Sequence, residues 1–163
     1  MSGRVQLSEH FFLDEFTRSA TAARLGRPVE VAPDSAVFLN LQHLCFVLLE
    51  PVRQALGPVH ITSGYRPEWL NALVGGSPRS DHCRGLAADF VVPGMTPLAA
   101  CQAVSRMNLG YRQLIHEFGR WVHVSSPGPG AAPQRQDLTA LHTGGRTRYL
   151  GGLVPVPEAG EAA

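Results

Sequence analysis

Asp89 closes the stretch Ser80-Asp81-His82-Cys83-Arg84-Gly85-Leu86-Ala87-Ala88-Asp89 and runs straight into Phe90-Val91-Val92, which has the residue types of a buried strand. A carboxylate inside such a strand is costly to bury unless a cation partners it. His82, earlier in the stretch and separated from Asp89 by a glycine turn, supplies a neutral nitrogen ligand. The stretch therefore reads as half of a zinc site. It reads equally as a surface turn leading into a strand, with Asp89 paired to an arginine, and the rest of the chain has to decide between the two.

With 163 residues, 44% hydrophobic and 17% charged, the chain suits one domain with a real core. The net charge of +1, from 14 basic and 13 acidic residues, gives no ground to expect electrostatic binding to nucleic acid or to an anionic membrane. Recognition has to come from a site. The start, Met1 to His10, lacks the apolar core of a signal peptide, and no stretch approaches the roughly 20 apolar residues of a membrane span. A monomer made in the cytoplasm without a signal peptide is expected. Cys45, Cys83 and Cys101 are an odd number without metal-type spacing, so neither a disulfide framework nor a thiolate zinc finger is expected. Cys45 and Cys101 read as small core residues, and Cys83, although beside His82, as no ligand.

Along the chain, residues 7 to 25 predict a short helix and a further helical turn, anchored by Phe12, Phe16 and Leu25 and stopped by Gly26. From Asp34 as N-cap, a longer helix carries Val37, Leu41, Leu44, Leu48, Val52 and Ala55 inward, with Pro51 predicting a kink or break near Leu48. Val59 to Thr62 alternates as a strand and leads to Arg66 at its end; Glu68 to Val74 is helical. Thr96-Pro97 opens a helix whose inner face is Leu98, Cys101, Val104, Ser105 and Leu109. Gln113 to Phe118 and Trp121 to Ser125 form a hairpin about Gly119-Arg120, with His123 sharing a face with Trp121 and Ser125. The domain is expected to span 1–142, and the Gly, Pro and Ala-rich residues 143–163 to be a disordered tail.

His82, Asp89 and His123 together make a two-histidine, one-carboxylate set that suits a hydrolytic zinc with a fourth position open for water. Glu117, across the hairpin from His123, is placed to take a proton from that water. Arg66 is placed to pair with a substrate carboxylate through its planar fork, or else with Asp89 or Asp81 as a structural partner.

Ser80-x-His82-x-x-Gly85-x-Ala87-x-Asp89, Ser63-Gly64-Tyr65-Arg66 and Trp121-x-His123 resemble the zinc D-Ala-D-Ala peptidases of the LAS metallopeptidase group, which includes carboxypeptidases and phage endolysins. The amino-terminal signalling domain of hedgehog proteins shares their fold. The likeness runs from Phe12-x-x-x-Glu15-Phe16 to about Leu141 and is strongest to small phage or prophage-type members. It implies an α+β fold, a small antiparallel sheet flanked by helices, with Zn2+ held by His82, Asp89 and His123. It further implies a peptidoglycan peptide as substrate, Arg66 as the carboxylate-binding arginine and Ser80 as the motif serine that supports the site. Many members place the catalytic carboxylate where this chain has Arg120; the hedgehog-type arrangement has it at the position of Glu117, which is carried over as the base. Other members have a histidine where this chain has Trp121. Trp121 and Tyr65 are expected on the substrate side, with Tyr65 or His116 left to assist the oxyanion.

The implied activity is that of a zinc D,D-carboxypeptidase or peptidoglycan endopeptidase, acting on the wall after release or as part of a phage. The competing readings are a non-catalytic zinc-stabilised domain that binds wall peptide or a protein partner, and an accessory phage structural protein.

Overall fold

A computed structural model describes residues 3–157, and the last residues of the expected tail, 158–163, lie outside the described residues. Two short helices, α1 (Leu13–Thr17) and α2 (Ala20–Arg24), open the fold. Glu15 accepts from the backbone N–H of Phe12 at 2.9 Å, which fixes the start of α1. Of the expected anchors Phe16 is fully buried, but Leu25 is 57% exposed and Phe11, not Phe12, fills the core beside Phe16. The Phe11 and Phe16 rings meet edge-on at 6.2 Å.

The long helix is a continuous run, Ala36–Leu56, made of α3 (Ala36–Leu44), a wide π turn (Cys45–Leu49) and α4 (Glu50–Leu56). Its cap is Ser35, whose Oγ accepts from Phe38 N; Asp34, the expected cap, sits instead at φ 59°. Pro51 lacks the N–H that the preceding turn needs, and the helix widens there to i→i+5 bonding, with Glu50 N donating to Cys45 O. Beyond the wide turn the inner face is Val52 and Leu56, so Ala55 is left exposed. At 21 residues and hydropathy 1.2 this run is long and apolar enough to cross a membrane, contrary to expectation. Its inner side chains Leu41, Leu44, Leu48 and Val52 are nevertheless fully buried in the centre of the core.

Six strands follow: β1 (His60–Ser63), β2 (Ala87–Val91), β3 (Gln113–Glu117), β4 (Trp121–Ser125), β5 (Gln136–Thr143) and β6 (Arg146–Gly151). They form one sheet in the order β1-β2-β4-β3-β5-β6. All neighbours are antiparallel except β3 and β5, because the Pro/Gly-rich segment 126–135 carries the chain past β3 to its far edge. Between the strands lie α5 (Glu68–Leu73), a 3₁₀ turn (Asp81–Arg84) and α6 (Pro97–Arg106), which Thr96 caps as expected by accepting from Ala99 N.

Strand alternation divides the sheet into two faces. Ala88, Phe90, Leu114, Val122 and Val124 point to the helices, where they join Leu41, Leu44, Cys101 and Val104 in one core. The other face carries Asp89, His123 and Glu117. The expected α+β fold with helices flanking a sheet is the fold found. Residues 143–157 depart from the expected disorder: β5 and β6 pair from Leu138↔Gly151 to Thr143↔Arg146, and Thr139 Oγ1 holds the following segment through Gly152 O and Val154 N. Composition alone hid this, because an exposed edge strand such as β6 has no apolar alternation to display.

Candidate metal centre

Three elements bring the site together. His82 lies on the 3₁₀ turn, which Ser80 caps by accepting from His82 N and which Gly85 ends at φ 71°. A Cβ at Gly85 would lie 2.9 Å from Val37 O, so the turn requires glycine twice over, for its backbone angle and for the approach of α3. Asp89 and His123 stand directly opposite each other in β2 and β4, on the same face. The β1–β2 register shifts between Ile61 and Ser63, placing Ser63 across from Asp89. Gly64 follows, where a Cβ would strike Phe16 at 2.6 Å, and this close approach delivers the Gly64 carbonyl to His82 Nδ1 at 2.7 Å.

A carbonyl only accepts, so His82 Nδ1 is the protonated nitrogen and Nε2 presents a lone pair. That Nε2 faces Asp89 Oδ1 at 3.2 Å and His123 Nδ1 at 3.3 Å, and the latter two are 2.9 Å apart. All three residues are buried. A proton on His123 Nδ1 would satisfy Asp89 but leave the lone pair of His82 Nε2 against a second acceptor, Asp89 Oδ1, at 3.2 Å. These three atoms would suit a tetrahedral zinc, which would leave a fourth position open. The residues therefore fit the metal, and they are the one such group of His, Cys, Asp and Glu among the described residues.

Burial pushes the His82 pKa down, against the pull of Asp89, which favours the neutral imidazole a metal needs. Burial would raise Asp89, but the two histidines packed against its carboxylate outweigh burial and hold its carboxyl well below the usual range. For His123 burial again acts downward, yet the hydrogen bond to Asp89 outweighs it and the pKa is raised.

Glu117 stands beside this group, with Oε1 4.0 Å from His123 Nδ1. Burial, then the charge of Asp89, raise its pKa. Trp121, directly opposite in the ladder, donates from Nε1 to Glu117 Oε2 at 2.8 Å, and the Phe118 ring meets the Trp121 ring edge-on at 5.7 Å. This anchoring of Glu117 by the indole was not foreseen from the sequence, although two residues four apart across a hairpin turn are within reach of each other.

A cavity of about 610 Å³ opens over the three buried residues, with Arg66, Ser80, Glu117 and Trp121 in its walls. Arg66 pairs with neither Asp89 nor Asp81, and its Nε is buried without a partner. Asp81 is taken by Arg112, which donates to both its oxygens at 2.7 Å, and by Arg84. Arg112, Gln113, Ile115, His142, Thr147 and Tyr149 also line the cavity and were not anticipated. Tyr65 is not in the cavity walls; it packs against the core, and burial raises its pKa. His116 belongs to the helix-facing side of β3, where Nδ1 meets Val154 O at 3.0 Å, and it is not in the cavity either. Cys83 is free, half-buried and outside the metal-ligand group, while Cys45 and Cys101 are buried in the core, where burial pushes the Cys101 thiol up to about 12.

A family model described as Peptidase M15 matches residues 9–125. That range contains His82, Asp89, Glu117 and His123 and covers most of the chain. No curated protein matches the chain.

Proposed function

Starting from the membership of this chain in the peptidase M15 family, a family of metal-dependent peptidases, we propose that it is a zinc peptidase that hydrolyses peptide bonds in the stem or cross-link peptides of bacterial peptidoglycan. The observation that carries this reading is the convergence of His82 Nε2, Asp89 Oδ1 and His123 Nδ1 at 2.9–3.3 Å beneath an open cavity. Zinc bound by these three would supply Lewis acidity, polarising the scissile carbonyl and activating water.

The chain's own residues do the rest. Glu117, its Oε2 held by Trp121, has Oε1 on the ligand side and accepts the proton of the attacking water. A carboxyl raised by burial is a better base near neutral pH than an ordinary one, and it returns the proton to the leaving amine. Arg66, with no protein partner for its Nε, orients the peptide through a substrate carboxylate. Ser80 keeps the turn that carries His82 in place.

Purified protein incubated with peptidoglycan should release new free amino groups, and a chelator should abolish the release. Mass spectrometry of the muropeptides formed then identifies the bond and separates carboxypeptidase from endopeptidase. Binding of wall peptide with no release under any metal condition would replace the enzyme with the non-catalytic binding domain.

A further inference from the structure

The hairpin of β5 and β6 lies beyond the family match, which ends at residue 125, yet it supplies a wall of the metal cavity. The register explains how. Glu117 pairs with Ala140 and Ala140 with Tyr149, so the three occupy one row across β3, β5 and β6 and share the face that carries Asp89 and His123. Ala140 is small and fully buried, and beyond it Tyr149 is 57% exposed. Thr147 and His142 are direct partners in the same hairpin and also face the cavity. His142 is fixed by stacking on Phe118, with centroids 4.2 Å apart and planes within 5°. Burial, then the charges of Glu117 and Asp89, raise the Tyr149 pKa, as expected of a ring on the metal side of the hairpin.

More than half exposed in the cavity wall, the Tyr149 ring has surface open to a ligand. Its position along the sheet gives it a direction. Arg66 follows β1 at one edge of the sheet, Asp89 and His123 sit on β2 and β4 with His82 held beside them on the 3₁₀ turn, and Tyr149 sits on β6 at the other edge. From β4 to β6 there are three strand spacings, about 14 Å, which an extended peptide spans in about four residues.

Resting on the peptidase reading above, we propose that Tyr149, with Thr147 and His142, forms a subsite for the acyl side of the substrate peptide, about three to four residues from the scissile bond. A peptide whose carboxylate lies at Arg66 crosses the metal and lays its amino-terminal part on the Tyr149 ring. The hydroxyl of Thr147 and the imidazole of His142 offer hydrogen bonds to its backbone. The preferred substrate is then an extended wall peptide and not a dipeptide.

The test uses the full chain, a muropeptide that the wild type cleaves, and versions of it shortened stepwise from the amino end. Wild-type kcat/KM should rise at least tenfold from the shortest to the longest. Tyr149→Ala should lose that rise, mainly through KM, with zinc content and melting temperature unchanged. Tyr149→Phe should keep most of it if the ring is the contact. A wild type indifferent to length, or Tyr149→Ala with the full length dependence, overturns the subsite. If the wild type cleaves no wall peptide, the peptidase reading has failed separately. Binding of the longest peptide, measured by titration calorimetry, then decides: weakening by Tyr149→Ala upholds the subsite, and no binding or no weakening overturns it.

Discussion

At the scale of single residues, Glu117 is defined by what holds each oxygen. Oε2 is fixed by the indole N–H of Trp121, and Oε1 faces His123. Glu117→Gln keeps the shape and the indole contact to its carbonyl oxygen but cannot take a proton. It should leave zinc stoichiometry intact, by elemental analysis, while hydrolysis falls about a hundredfold or more. Trp121→Phe keeps the ring and deletes the donor, so Glu117 is free to swing. About a tenfold loss in kcat, with KM little changed, is expected from steady-state kinetics, since the loss is of orientation and not of substrate contact. The sequence presented both residues, but only as a strand end and a strand start. Their hydrogen bond depends on the three-residue turn between them, where Phe118 and Gly119 both take positive φ, at 55° and 69°.

At the scale of elements, the 3₁₀ turn and the amino-terminal helices illustrate how local segments are held to the core. Gly85→Ala places a Cβ against Val37 O and forces alanine to φ 71°, and should cost about 2 kcal/mol in chemical denaturation. Zinc affinity should fall with it, because the turn carries His82. The entry to α1 is tied to α4 by Glu50, which accepts from Ser8 Oγ at 2.6 Å, from His10 N at 2.8 Å, and meets His10 Nδ1 at 2.8 Å. Burial would raise this carboxyl, but those bonds outweigh it and hold it below its ordinary value of 4.5. A depressed carboxyl binds fewer protons folded than unfolded, so its contribution is present above pH 4.5 and is lost as pH falls below it. Melting temperature followed between about pH 6 and 3 should drop more steeply for the wild type than for Glu50→Gln.

At the scale of the whole molecule, the sheet has one face for folding and one for chemistry. The first is covered by the helices, and the second carries buried polar groups that lack a mutual solution without a cation. A metal that binds the folded chain alone should therefore stabilise it by mass action, about 2.7 kcal/mol at a hundred times the dissociation constant, or about 5–10 °C in melting temperature for a chain of this size. Calorimetry with and without chelator measures this, and His82→Ala should remove most of the difference. The sequence by itself determined the pieces whose physics is local: a carboxylate in an apolar strand needs a cation, Thr96-Pro97 starts a helix, and alternation in Trp121 to Ser125 turns His123 the opposite way from Val122 and Val124. Pro51 likewise announced the irregular turn near Leu48. Tertiary structure decided whatever depends on which strands become neighbours. The crossing of segment 126–135 past β3 makes the β3–β5 pair parallel and brings β6 to the edge of the site. Tyr149, in a stretch whose composition suggests a loose tail, thereby comes to line the same cavity as Glu117. Salt-bridge partners follow the same rule. Arg84 reaches Asp81 by local i,i+3 spacing on the 3₁₀ turn, but Arg112 comes to it from β3 across 31 residues, and the two leave Arg66 to the cavity, a choice that only the folded geometry makes.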